Sequence, residues 1–134
     1  MDKCKIGILR HDTTQWIQDV EFYLDELQAL EDLVHQKADH SNLSKQVHND
    51  ISCTISSFLN QLIRDFLGKL RGHEIKLSNI IEGKKTNSAE LDEQKHLELA
   101  QDLGQLKTRI RRLKKRVYRY LLEENSRQRH GFPI

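Results

Sequence analysis

Residues 99–121 read LAQDLGQLKTRIRRLKKRVYRYL, and within them Leu99, Leu103, Leu106, Ile110, Leu113, Val117 and Tyr120 recur at alternating gaps of four and three. That rhythm is the seam of a helix built to pack against other helices. A seam of this length needs partners, and two earlier segments carry the same periodicity. The chain therefore reads as an all-α, antiparallel up-down bundle of three long helices.

Working back towards the N-terminus, Asn87-Ser-Ala-Glu90 has the spacing of a capping box and opens the third helix, which is predicted to run to about Asn125. Ahead of it GKKTNS, residues 83–88, is a turn by composition. The second helix starts at Ser41 or Ser44. Val47, Ile51, Ile55, Phe58, Leu62, Phe66 and Leu70 line its main face, with Leu59, Ile63 and Leu67 widening it. Gly68 and Gly72 mark either a bend within one helix that continues to about Glu82 or a break that folds the chain back into a closed four-helix monomer.

The first helix is expected to begin at Asp12 or Thr13, where Asp12-Thr-Thr-Gln15 has capping-box spacing. Trp16, Val20, Tyr23, Leu27, Leu30 and Val34 continue the four-three pattern, and Ile17 and Leu24 add a second row. A seam that wide suits a helix touching two neighbours. Residues 38–42, ADHSN, supply a turn. This gives an N-terminal lead or strap over 1–11, one bundle domain over 12–125 and a loose tail over 126–134.

At 1.5 Å per residue the first helix would reach about 40 Å and the other two about 55–60 Å. The hairpin tip is then expected to protrude, leaving Ile75, Leu77, Ile80, Ile81, Leu91, Leu97 and Leu99 with only one another. Self-association follows, most simply a twofold dimer pairing the tips, or docking to another helical protein.

Composition narrows the function classes. The 134 residues suffice for one domain, 31% are charged, and the single proline stands at position 133. A net charge of +2 gives the whole molecule no field that implies a nucleic-acid or membrane partner. Cys4 and Cys53 lack CxxC spacing and read as reduced thiols of a cytoplasmic protein. The opening MDKCKIGILRHD falls far short of a signal peptide or membrane span.

Charge is unevenly placed. The first helix carries Asp12, Asp19, Glu21, Asp25, Glu26, Glu31, Asp32 and Asp39 against Lys37, whereas residues 107–119 carry Lys107, Arg109, Arg111, Arg112, Lys114, Lys115, Arg116 and Arg119 without an acid. The favoured reading makes these two stretches neighbours flanking a common seam. The alternative is a nucleic-acid face using Arg111, Arg112, Lys115 and Arg119.

Two histidines are the other place to look for chemistry. Counting outward from the turn at 83–88 puts His73 level with His96 near the hairpin tip, where the rings can share a hydrogen bond or a pH-sensitive contact. Glu93-Gln-Lys-His96 has the Glu-x-x-His spacing of carboxylate-bridged di-iron bundles, and Asp32-Leu-Val-His35 imitates it loosely. Those two lie tens of ångströms apart by helix rise. A metal site would need Glu74, Glu93 or a second chain to complete it, and no cofactor is expected. Ser52 to Ser57 offers hydroxyls but no nucleophile elbow or base, and no glycine-rich phosphate loop occurs.

Trp16-Ile-Gln-Asp-Val-Glu-Phe-Tyr-Leu-Asp-Glu-Leu together with Phe58-Leu-Asn-Gln-Leu-Ile resembles a group of short uncharacterised all-helical bacterial proteins, a tryptophan-led helix followed by a long helical hairpin. The resemblance lies in packing residues and brings no activity with it. The expectation is a non-enzymatic interaction or scaffolding protein.

Overall fold

The computed structural model describes residues 3–38, 45–83 and 89–130, with side chains over 4–37, 45–83 and 93–122. The protein is an all-α bundle of α1 (Lys3–Ala38), α2 (Lys45–Ser57), a π-helical segment (Phe58–Ile63), α3 (Arg64–Ile81) and α4 (Ala89–His130), and no strand occurs among the described residues. Ser57, Ile63 and Arg64 all keep right-handed helical dihedrals, so α2, the π segment and α3 form one continuous rod. The turn expected at ADHSN, the second-helix start at Ser41 or Ser44, the Asn87 capping box and the side chain of Leu91 lie outside the described residues.

Contacts give the direction of each rod. Along α1 and α4 the numbers rise together: Lys5 pairs with Glu93 at 2.7 Å, Glu26 with Lys114 at 2.8 Å, and Lys37 donates to the carbonyls of Tyr120 and Leu121. Along α1 and the second rod they run oppositely, since Thr14 donates to Glu74, Arg71 pairs with Glu21, and Ser56 donates to Glu31. The apolar seams named above meet between them, with Leu27, Ile55, Ile63, Leu70, Leu99 and Val117 fully enclosed.

α1 begins at Lys3, and neither an extended strap over residues 1–11 nor a helix start at Asp12 is found. The reason is Thr13. Ile6, Thr13, Val20, Leu27 and Val34 are buried at every seventh position, so the seam runs through a threonine that an apolar count skips. Its hydroxyl donates to the carbonyl of Leu9 at 2.8 Å, which satisfies it within its own helix. The extra turns carry α1, 36 residues and so about 54 Å long, to the level of Glu93. The hairpin tip expected to stand bare is thereby covered at Leu77 and Leu99, although Ile75 and Leu97 stay exposed. α4 likewise continues past Asn125 to His130, beyond the tail boundary expected at 126.

No break occurs at Gly68 or Gly72, which excludes the four-helix fold-back; both lie inside α3, and a Cβ added at either meets nothing within 4 Å. The true stop is Gly83, whose φ of 76° takes the left-handed conformation while its N–H bonds the Ile80 carbonyl at 3.1 Å. Gly68→Ala and Gly72→Ala are each expected to raise stability by about 0.5–1 kcal/mol, read as a higher urea midpoint at unchanged slope.

The irregularity sits upstream, in the π segment. Ile51, Ile55, Leu59 and Ile63 are buried at successive gaps of four. In a regular α-helix each such step drifts the side chain by about 40°, and the wider π turn, in which the Arg64 N–H reaches the Leu59 carbonyl, holds the row on one face. Leu59 and Ile63 therefore occupy the core, and Phe58 and Leu62, expected at the seam's centre, are only half-buried beside it.

Among the described residues no helix is long and apolar enough to cross a membrane.

Candidate functional sites: a histidine clasp and an arginine-lined groove

The structure brings His73 and His96 together and adds a third member. His73 Nε2 lies 3.1 Å from His96 Nδ1, and His96 Nε2 lies 3.3 Å from Asp12 Oδ2. The three come from α3, α4 and α1, so one polar chain ties every rod at this level. Trp16 stacks on the His96 ring with centroids 4.5 Å apart. His73 and His96 are 3% and 4% exposed.

The carboxylate dictates the tautomers. Asp12 accepts only, so with both rings neutral His96 carries its proton on Nε2 and offers a lone pair at Nδ1. His73 then donates from Nε2, which leaves its Nδ1 as an acceptor, and that buried atom has no partner. Adding a proton to His73 would place an N–H and a positive charge where no acceptor waits. Burial, then the neighbouring His96, Lys76 and Lys95, accordingly lower the His73 pKa from 6.5 to about 4.

No three metal-ligating side chains converge among the described residues. Glu74 is engaged by Thr14 and Glu93 by Lys5, and His35 lies far off beside His48, with ring centroids 5.6 Å apart. The chain from Asp12 to His73 ends in a closed interior without a nucleophile. Its chemistry is to link protonation to the packing of three helices.

The second site lies on the other side of the bundle from α1. α2 and the π segment make little direct contact with α4, and an open groove runs between them. One part, about 400 Å³, is bordered by Cys53, Thr54, Ser57, Phe58, Gln61, Leu62 and Arg109. It continues past Leu113 between Arg112 and Arg116, and in the other direction to Asp65, Lys69 and Asp102. Half-buried Phe58 and Leu62 form an apolar floor, and the Arg109 guanidinium sits 5.4 Å from the centre of the Phe58 ring.

Of the eight basic residues in 107–119, Lys114 alone forms an ion pair with α1 among the described residues, through Glu26. Lys107 and Lys114 lie on the flank towards α1, one position after the seam residues. Arg109 and Arg116 lie one position before it, facing the groove with Arg112. Arg111, Arg112, Lys115 and Arg119 are exposed and share the outer face of α4, so the residues singled out for nucleic acid adjoin the groove, and Arg112 belongs to both. Sequence reasoning missed Thr54, Phe58 and Arg109 as one surface. Phe58 looked like core, and only the π turn turns it outward.

Cys4 and Cys53 are free and exposed, and among the hydroxyls of residues 52–57 Ser56 is tied to Glu31, Thr54 to the Asp50 carbonyl and Ser57 to Gln61. No family model, no curated protein and no solved structure matches this chain. The reading of both sites rests on its own residues.

Proposed function

We propose that the chain is a non-enzymatic helical interaction or scaffolding module of the cytoplasm that receives an acidic amphipathic helix in the groove between its second rod and α4. The observation that carries this reading is a groove with an apolar floor, Phe58 and Leu62, beneath a rim of Arg109, Arg112 and Arg116, which the bundle's own helices leave unfilled. A helix laid there places apolar side chains on the floor and carboxylates against guanidinium groups, which bind carboxylates with two parallel hydrogen bonds. The histidine clasp supports the module by holding α1, α3 and α4 in one register.

A fluorescein-labelled peptide of about 18 residues with leucine at i, i+3, i+4 positions and glutamate beside them tests this by anisotropy. Binding is expected, weakened by salt, and lost in Arg109→Glu/Arg112→Glu/Arg116→Glu. A peptide that binds the wild type and this variant equally would overturn the reading.

A second reading is favoured by a separate observation. Arg111, Arg112, Lys115 and Arg119 form one exposed strip without an ion pair among the described residues, as a phosphate-contacting helix would. Against it, the facing wall of Thr54, Ser57 and Gln61 is neutral, and an apolar floor adds nothing to a phosphate backbone. Mixed-sequence DNA or RNA in the same assay is expected to leave the anisotropy unchanged at physiological salt.

A further inference from the structure

Resting on the groove reading, we infer that its occupant is the outer face of α1 from another copy of this chain, so that copies join head to tail. That face is an exposed surface that carries apolar and acidic side chains together. Phe22, Asp25, Ala29, Asp32 and Leu33 follow one another at helical spacing on the side of α1 away from the core, and Phe22 and Leu33 are 62% and 46% exposed. Asp25 and Asp32 enter no ion pair among the described residues.

Charge and spacing match across the two surfaces. Asp25 and Asp32 are seven residues apart, two helical turns or about 10.5 Å, and so are Arg109 and Arg116. Two helices packed side by side place such pairs opposite each other, as flanking charges do in coiled coils. With Asp25 at Arg109 and Asp32 at Arg116, Phe22 would rest on Phe58 and Leu62, giving the groove floor the apolar cover it lacks, and Leu33, about 16.5 Å further along the helix, would lie near Leu113. The floor alone suits any apolar helix. The two-turn match of acid to arginine selects this one.

The symmetry follows from where the surfaces lie. No α1 residue borders the groove, and the outer face of α1 points away from it. One pair of molecules therefore cannot exchange both contacts through a twofold axis, and each added copy leaves one groove and one α1 face open. The result is an open chain or a ring, in place of the closed tip-to-tip dimer suggested by the helix lengths.

Sedimentation velocity of the full chain, from about 1 to about 300 µM, the affinity range of weak interfaces, tests this with charge reversals on each surface. The wild type is expected to pass the dimer value as concentration rises. Arg109→Glu/Arg112→Glu/Arg116→Glu and Asp25→Lys/Asp32→Lys should each raise the concentration needed by about tenfold or more. Mixed one to one, the two variants should associate again, which a merely misfolded variant would not do. Association that stops at a dimer, a wild type that stays monomeric, or a loss at the groove variant with no change at the α1 variant would each overturn the head-to-tail contact. Binding of the acidic probe peptide, measured separately, decides whether the groove reading falls with it.

Discussion

Acidification from pH 6.5 to pH 4 is expected to remove roughly 3 kcal/mol of folding free energy through His73 alone. In the unfolded chain this histidine has its ordinary pKa of 6.5, and in the folded bundle about 4. Between these values the unfolded chain takes up a proton that the folded one refuses. The contribution is therefore complete above pH 6.5, declines as the pH falls, and levels off below about pH 4. Burial sets this direction first, His96, Lys76 and Lys95 add to it by opposing a further positive charge, and Asp12 is spent on His96. Glu74 and Glu93, the other acids nearby, face Thr14 and Lys5. Other ionisable groups add to the pH dependence, so the readout is a difference. Urea unfolding at several pH values should show a shallower decline for His73→Gln, which keeps a donor for His96 Nδ1 but does not titrate. Parallel declines in the two proteins would remove His73 as the source. His73→Leu also ends the titration, but it leaves His96 Nδ1 without a donor and should cost about 1–3 kcal/mol at pH 7 as well.

The histidine pair was legible because only helix rise and a short connection were needed to level position 73 with position 96. Asp12 was not, since it sits beside Thr13 in a pattern that reads equally well as a cap. The threonine's own-helix hydrogen bond is what lets a polar residue hold a seam position, and no apolar periodicity reveals it. Three helices and most of the core could be read from spacing alone, because a row such as Leu103, Leu106, Ile110, Leu113 has only one buried face. The second rod is different. Phe58, Leu62 and Phe66 form one apolar row, Leu59, Ile63 and Leu67 another beside it, and both fit a helix in contact with two neighbours. Across residues 58–63 the backbone hydrogen bonds of the π turn decide which row faces the core, and beyond it Phe66 and Leu67 are both buried. The groove is a consequence of that choice, so it was hidden for the same reason.

Ile63→Ala is expected to cost about 2–5 kcal/mol, the range for truncating an enclosed aliphatic side chain, whereas Leu62→Ala, next to it, should cost only about 1 kcal/mol, as befits partial burial. Ile63 is fully enclosed in the hydrophobic core, and Leu62 borders the groove. A helix wound regularly through Phe58 and Leu62 would reverse the order, because Leu62 would then sit at the seam's centre with Ile63 on its flank. The two losses, from urea unfolding of each variant against the wild type, thus measure the phase of the π segment. Leu59→Ala against Phe58→Ala repeats the comparison one turn earlier, with the larger loss again expected at the buried member. Phe58→Ala should also weaken the acidic probe peptide, since it strips the groove floor and the ring beneath Arg109, while Ile63→Ala, at a stability still sufficient to fold, should leave that binding in place. Losses of equal size at positions 62 and 63 would mean that both rows face the core, and the groove would then have no floor.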